Sequence, residues 1–491
     1  MLFNSFQFLI FFPIVVLVYF AIPAKSRYLW LLAASYYFYM CWNASYALLL
    51  LFSTAVTWLG GLALWKLSVI DLNESKKTSL RKLCVAVSFI LNLSILFFYK
   101  YFYFVTDNIN FVLKAFNLKT YEPAFDIILP VGISFYIFQA LSYTMDIYRQ
   151  QVEVEKNFAK YALFVSFFPQ LVAGPIERSK NLLVQIEGMD KLKLLNYERV
   201  RDGVLLMTWG LFQKIVIADR IAIVVNQVYD NYHSYGCVEL VTAALLFSFQ
   251  IYCDFGGYSN IAKGAAQVMG IQLMDNFRQP YLAENIKDFW RRWHISLTTW
   301  FTDYLYIPLG GNRKGKLKQN RNILIVFLCS GLWHGAAWTY VIWGALHGCA
   351  QILGNILGNI KKERNAALGI LVRIFKTGIT FGIVTVLWVF FRAETIGQAF
   401  GYFAQMLRYK RLQTFEAMGL GYADWIVLIA ALFILFMIDI MHERGIRLRR
   451  ELYKRNVFFR GFIYLCIVWS ILLFGIYGYQ YDASQFIYFQ F

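Results

Sequence analysis

Residues 322–335 read NILIVFLCSGLWHG, and they open the stretch that decides the fold. From Asn322 to Ile360 the chain contains no Asp, Glu, Lys or Arg. Such a run can enter a bilayer, because roughly 20 apolar residues span one as a helix. His334 lies within the run, in the longer stretch Trp290–Gly348 that holds three of the 5 histidines. An ionisable group inside a membrane marks a candidate functional site.

The composition predicts a membrane protein. Hydrophobic residues make up 59% of the 491 residues and charged residues only 15%. Soluble domains carry about 25% charged residues. Several other apolar runs approach or exceed the roughly 20 residues that a spanning helix needs. The fold class expected is therefore all-α: an integral, polytopic helical bundle.

The net charge of +18 does not indicate a nucleic-acid-binding protein. Lys and Arg collect in the cytoplasmic loops of membrane proteins, and no nucleic-acid-binding motif accompanies the charge. The 7 cysteines are scattered and form no CxxC pair. We expect them to be small buried hydrophobic residues and neither zinc ligands nor a disulfide framework.

The alternation of apolar runs and basic loops predicts about 11–12 transmembrane helices, with both termini outside. The segment 286–321 holds eight Lys or Arg against two Asp, and 442–460 holds seven against two Glu, so both are expected in the cytoplasm. The first run is expected to be a retained helix and not a signal peptide. The runs are Phe6–Ile22, Tyr28–Asn43, Ser45–Lys66, Leu83–Phe104, Asp126–Tyr148, Gly203–Gln227, Val241–Phe255, Asn322–Gly335, Ala336–Leu357, Leu368–Phe391, Ala423–Met441 and Gly461–Tyr479.

Two segments do not fit this alternation. The run Tyr161–Gly174 has basic residues on both sides and is broken at Pro169. It is expected to dip into the membrane and return; a buried helix of the soluble type is the alternative. Arg408, Lys410 and Arg411 are basic although they fall on the outside, so they are placed on an interfacial segment.

Residues 286–304 have the pattern of an amphipathic interfacial helix. The apolar residues Ile286, Phe289 and Trp293 fall at helical spacing on one side, with Trp and Tyr as expected at an interface. His294 projects toward that apolar side. It is either a polar group aimed at a central cavity or a histidine packed beneath the helix.

The depth of His334 follows from helix geometry. Arg321 is the last basic residue before it, so a rise of about 1.5 Å per residue places His334 roughly 20 Å from the cytoplasmic edge. The hydrocarbon core is about 30 Å thick, so His334 is expected inside the membrane. A neutral imidazole can act as a general base toward a hydroxyl. A packed core histidine is the alternative, and for His347 the two interpretations are equally supported.

Several long motifs resemble the membrane-bound O-acyltransferase (MBOAT) family and, within it, the branch of alginate O-acetylation membrane proteins. They are DFWRRWHISL at 288–297, DYLYIPLGGNR at 303–313, GLWHGAAW at 331–338, PVGISF at 130–135, AGPI at 173–176, YCDFGGYS at 252–259 and FIYFQF at 486–491. The resemblance covers nearly the whole chain and implies one transmembrane domain, residues 1–491.

The resemblance implies that His334 is the catalytic histidine and His294 the second polar residue of the site. It implies a central tunnel that joins a cytoplasmic donor, acetyl-CoA, to an extracytoplasmic polysaccharide acceptor. It further implies a bacterial cytoplasmic membrane, with lipid around the chain and a hydrolase-like extracytoplasmic partner that finishes the transfer. No tightly bound cofactor and no metal are expected.

Alternatives remain at this point. The same scaffold could transfer D-alanyl groups to teichoic acid, although the sequence at 306–313 favours acetylation. A transporter of polysaccharide precursors would also be polytopic, but no inverted repeat is visible. Arg291, Arg292, Arg313 and Lys314 could attract the phosphates of the donor, or be ordinary cytoplasmic positive charge.

Overall fold

The computed structural model describes residues 1–192, 196–357, 366–408 and 414–477, and these residues contain helices and no strand. They form two compact units. The first comprises Met1–Val204 and Ala262–Met274, and the second comprises Leu205–Ile261 and Asp275–Phe491. The single domain predicted for residues 1–491 stays a prediction.

The first unit is built mainly from the amino-terminal helices. They are α1 (Phe6–Ala21), α2 (Arg27–Met40), α3 (Tyr46–Val69), α4 (Glu74–Leu96), α5 (Phe102–Ala115), α6 (Ile133–Tyr148), α7 (Phe158–Ser166), α8 (Phe168–Leu171) and α9 (Val184–Glu187). A π-helical turn, Phe97–Tyr101, joins α4 to α5. In this unit the segment 272–274 is held by side chains, since the Gln272 amide donates to Gln185 Oε1 at 2.8 Å and Gln185 Nε2 donates to the Gln272 carbonyl at 2.9 Å.

Helices α10 (Tyr197–Leu211) and α12 (Cys237–Val268) contribute residues to both units. The second unit also contains α11 (Asp219–Asp230), α13 (Ile286–Arg292), α14 (Ile295–Phe301), α15 (Lys316–His334), α16 (Trp338–Leu357), α17 (Ala366–Arg392), α18 (Ile396–Met406), α19 (Tyr422–Glu443), α20 (Leu448–Tyr453) and α21 (Val457–Phe474). A π-helical stretch, Phe212–Ala218, links α10 to α11.

The described residues include 7 helices that are long and apolar enough to cross a membrane. This confirms the predicted all-α polytopic class. The seven are Tyr46–Val69, Glu74–Ala115, Cys237–Val268, Trp338–Leu357, Gly369–Arg392, Tyr422–Glu443 and Val457–Phe474.

Each of the twelve apolar runs contains a helix. Five of these helices are shorter, interrupted or more polar than the seven long ones, so their crossing of the membrane stays a prediction. They are α1, α2, α6, α15 and the stretch from α10 to α11. Tyr161–Gly174 is divided between α7 and α8 and is buried throughout its described length, which leaves both interpretations of it open. Lys410, Arg411, Tyr479 and the motif at 486–491 lie outside the described residues.

The prediction that the cysteines are buried is wrong for most of them. Only Cys253 is buried, and Cys41, Cys237, Cys349 and Cys466 are exposed. The reason is that apolar runs in a membrane protein direct much of their surface outward, where lipid takes the place of a protein core. Leu472 and Leu473 on α21 are likewise 55% and 65% exposed.

Helices α15 and α16 form a hairpin whose two arms approach closely at glycines. A Cβ atom on Gly331 would overlap the carbonyl oxygen of Tyr340, and one on Gly344 would overlap that of Phe327. Small residues permit such close approach of helices in membranes. The contact matters because Gly331 lies one helical turn before His334.

Replacing Gly331 by alanine is expected to destabilise the protein by about 1–3 kcal/mol, because the added methyl group has no space. Gly354, on the exposed end of α16, has no atom within 4 Å of a Cβ position and provides the matched control. Alanine there is expected to be neutral or slightly stabilising, since it favours a helix over glycine. Thermal unfolding of the purified variants in detergent measures the difference. Equal melting temperatures for the two variants would contradict the close packing.

Candidate active site

The prediction of one continuous helix over residues 286–304 is wrong, because the helix is interrupted at His294. Helix α13 ends at Arg292 and α14 begins at Ile295. His294 has a φ of 44° and lies in the left-handed region. Its carbonyl accepts a hydrogen bond from the amide of Thr298, in the first turn of α14, at 2.9 Å. Hydrophobic periodicity does not reveal this break, since both short helices keep the same side toward the interior.

The amphipathic pattern itself is confirmed. Phe289, Trp290 and Trp293 are buried, whereas Lys287 and Arg291 are exposed. The left-handed turn directs the His294 side chain into the second unit, where it has 0% exposure.

The structure brings the two predicted catalytic histidines together. The ring centroids of His294 and His334 are 6.1 Å apart, and the rings are inclined by 60°. His334 is only 4% exposed. At this separation both imidazoles can reach one reacting group. Residues forty positions apart in sequence therefore lie side by side in the interior of the second unit, and their catalytic roles stay predictions.

Aromatic rings enclose both imidazoles. The ring of Phe255 lies 4.6 Å from His294 and that of Trp333 lies 5.8 Å from it. Trp343 and Phe391 lie 5.2 Å and 5.4 Å from His334. Helices α12, α15, α16 and α17 each supply one of these rings. A pocket of this kind excludes water and strengthens electrostatic interactions within it.

Burial determines the protonation state of His294. It lowers the pKa of this imidazole to about 3, because a charged ring is disfavoured where water is absent. His294 is therefore neutral over the physiological pH range and can offer one N–H donor and one acceptor nitrogen.

His347 lies beside the pair and is hydrogen-bonded to a tryptophan. Its Nδ1 accepts a hydrogen bond from Nε1 of Trp290 at 3.2 Å. The ring of Trp343 contacts both His347, at 4.9 Å, and His334, at 5.2 Å. These contacts favour a packing role for His347, which the sequence left undecided.

A cavity of about 280 Å³ opens one helical turn from His334, and neither His294 nor His334 is among its lining residues. Trp290 and Ser330 line it, together with the cation of Lys287 and the amides of Gln351 and Asn355. Ser330 precedes His334 by four residues, or about 6 Å along a helix axis. The cavity mixes polar and apolar walls and is large enough for the end of a small acyl donor.

One of the four residues considered for phosphate binding, Arg292, already forms ion pairs within the protein. The Arg292 guanidinium pairs with Asp288 at 2.9 Å and with Glu443 at 2.6 Å. Arg291, Arg313 and Lys314 are exposed. Arg292 thus ties α13 to α19, which agrees better with a structural role than with donor binding.

Sequence reasoning missed the residues that surround and hold the pair. Phe255 belongs to the motif at 252–259, which had been recognised without a role. Asn276 belongs to no motif, and it contacts the residue after His294. No local signal indicates such contacts, because they join segments that are distant in sequence.

Comparisons with known proteins place the chain in a family. The model of the MBOAT, membrane-bound O-acyltransferase family, matches residues 2–391. The chain is 37% identical over 427 residues to a probable alginate O-acetylase of Pseudomonas putida, which covers 85% of this chain and 82% of the relative. It is 35% identical over 429 residues to the peptidoglycan O-acetyltransferase of Helicobacter pylori, covering 81% and 78%.

A more distant relative carries a different acyl group. The teichoic acid D-alanyltransferase of Bacillus subtilis is 29% identical over 266 residues, which cover 50% of this chain and 64% of that protein. The family match spans most of the chain and includes both histidines of the pocket. The chain belongs to the membrane-bound O-acyltransferase family and is a multi-pass membrane O-acyltransferase.

Proposed function

We propose that this enzyme acetylates a polysaccharide outside the cytoplasmic membrane of a bacterium, with acetyl-CoA as the donor and His334 as the general base. The observation that carries the proposal is the buried His294–His334 pair, with ring centroids 6.1 Å apart, in an O-acyltransferase. The pair has the nitrogen atoms that acyl transfer to a hydroxyl needs, and its aromatic walls keep water from competing with the acceptor.

The acetyl group is favoured by the relatives. The two O-acetyltransferases match more than four fifths of this chain at 35–37% identity. The D-alanyltransferase matches half of it at 29%. Transfer of D-alanine to teichoic acid is therefore the second candidate. The relatives act on different polymers, so the acceptor is proposed only as an extracytoplasmic polysaccharide.

The proposed reaction needs one proton transfer in each direction. His334 removes the proton of the acceptor hydroxyl as its oxygen attacks the carbonyl carbon of the thioester. The tetrahedral intermediate collapses, the C–S bond breaks, and the thiolate takes the proton from His334. The N–H group of neutral His294 stabilises the negative oxygen of the intermediate.

The cavity beside Trp290 and Ser330 is the proposed approach for the donor, whose acetyl end must pass from it to His334. The acceptor is either a sugar hydroxyl or the nucleophile of a hydrolase-like partner protein outside the membrane. Both deliver a hydroxyl to His334, so the same pocket serves either route.

The test supplies inside-out membrane vesicles with acetyl-CoA that is labelled in the acetyl group, and follows the label. We expect label in a polysaccharide or in a partner protein, and its loss with His334→Ala at equal protein level. D-Alanyl-loaded carrier protein in place of acetyl-CoA tests the second candidate. Movement of intact polymer precursor without acyl transfer would instead support a transporter and overturn the proposal.

A further inference from the structure

We propose that Asn276 is a positioning residue that holds His294 in its left-handed conformation and so aims its imidazole at His334. The inference rests on the proposed function, because it assigns Asn276 a part in the same reaction. Asn276 acts through the backbone and side chain of the residues that follow His294.

Two backbone hydrogen bonds bracket the left-handed residue. The amide of Ile295 donates to the carbonyl of Asn276 at 3.0 Å, and the amide of Arg278 donates to the carbonyl of Arg292 at 3.0 Å. The segments 276–278 and 292–295 therefore run side by side around His294. The bracket fixes the chain on both sides of the break between α13 and α14.

The side chain of Asn276 extends the bracket to α12. Its Oδ1 accepts a hydrogen bond from Ser296 Oγ at 2.6 Å. Its Nδ2 donates to Ser259 Oγ at 3.0 Å. Asn276 is 1% exposed, Ser259 2% and Ser296 0%, so these bonds form away from water. The Asn276 side chain thus connects the start of α14 to α12, the helix whose Phe255 packs on the His294 ring.

This connection matters because His294 has a φ of 44°, in a region that few residues other than glycine occupy. Non-glycine residues rarely have a positive φ, and such residues persist only where their surroundings hold them. Without the two side-chain bonds of Asn276, only its backbone bond to Ile295 remains, so the turn can relax and the imidazole can move away from His334. A displacement of about 1 Å at a catalytic group can lower a rate by about 10²-fold.

The experiment is a double-mutant cycle in the labelled acetyl-transfer assay. Asn276→Ala is expected to lower the turnover number by about 10²-fold, with KM changed by less than about 3-fold. In a His294→Ala background the same substitution is expected to cost less than about 3-fold, because its effect passes through His294. Ser296→Ala deletes one of the two bonds and is expected to give an intermediate loss.

Asn92→Ala is the matched control. Asn92 is 0% exposed, its Oδ1 accepts from Ser53 Oγ at 2.5 Å, and its Nδ2 donates to the Ser88 carbonyl at 2.9 Å. It lies in the first unit and has the same kind of bonds, so it reports the general cost of losing a buried asparagine. Its effect on turnover is expected to be the same with and without His294.

A second measurement tests the position of His294 without the acetyl-transfer reaction. In protein labelled with ¹⁵N-histidine, the 5 histidines give few signals, and the His294 signal is identified by its loss in His294→Ala. It is expected to shift in Asn276→Ala and to stay in Asn92→Ala. An unmoved signal, or equal losses of turnover with and without His294, would overturn the positioning role. Absence of any acetyl transfer by the wild type would overturn the proposed function alone.

Discussion

Replacing His334 by alanine is expected to lower acetyl transfer by about 10²–10⁴-fold, the usual contribution of a general base. The substitution removes the only group in the proposed reaction that takes the proton from the acceptor hydroxyl. It removes one side chain among aromatic rings and leaves the apolar helices unchanged, so the protein is expected to remain in the membrane. The measurement is the rate of label transfer at matched protein levels.

His233→Ala is the control for this prediction. His233 is exposed, on the turn Tyr232–Ser234, and its loss is expected to leave the rate unchanged. A full rate in the His334 variant would contradict its role as the base. His334 would then be a packed histidine, and the search for the base would turn to His294.

Replacing Lys214 by methionine is expected to lower the free energy of unfolding by about 3–5 kcal/mol, the cost of breaking a buried ion pair. Lys214 Nζ lies 2.8 Å from Asp219 Oδ1 and 2.7 Å from Asp254 Oδ1. The three side chains are at most 7% exposed. Without the ammonium group, two buried carboxylates face each other. Thermal unfolding in detergent, or the yield of folded protein, measures the loss.

Packing in the second unit brings this triad together. A Cβ atom on Gly210 would lie 2.5 Å from the carbonyl oxygen of Gly257, so α10 and α12 are in backbone contact there. The π-helical stretch that follows α10 carries Lys214 toward Asp254 on α12. Asp254 immediately precedes Phe255, whose ring lies 4.6 Å from that of His294, so these buried ion pairs lie next to the histidine pair.

Two variants test whether the loss comes from buried charge. Lys454 pairs with Glu451 at the same distance of 2.7 Å, but both side chains are exposed at 60% and 49%. Lys454→Met is expected to change stability little, because exposed pairs contribute little. Adding Asp219→Asn and Asp254→Asn to Lys214→Met is expected to restore part of the stability, since no charge then remains buried. A Lys214 variant as stable as the wild type would contradict the role of the triad.

The break at His294 changes how the neighbouring motif is understood. In a continuous helix, the histidine would share a face with Trp290 and Leu297 and pack as they do. The left-handed turn separates it from that face and directs it toward His334. The motif at 288–297 therefore forms two short helices that are joined at a left-handed histidine. Asn276 connects this turn to α12.

The sequence by itself determined the class of this protein. Apolar runs and basic loops are local in the chain, and they sufficed for an all-α membrane protein with a helix in every predicted run. The long motifs sufficed for the family, and they singled out His334 and His294, whose catalytic roles stay predictions. The depth of His334 and the identity of the donor stay predictions.

Only the tertiary structure decided the arrangement of the site. The structure shows the left-handed turn at His294, which hydrophobic periodicity does not reveal. It also shows contacts between residues that are distant along the chain: Phe255 with the His294 ring, Trp290 with His347, and Asn276 with α12 and α14. Periodicity reports which side of a helix is apolar, because that depends on neighbours three and four residues away. Periodicity does not identify the residue that each side chain contacts, because that depends on how the helices pack.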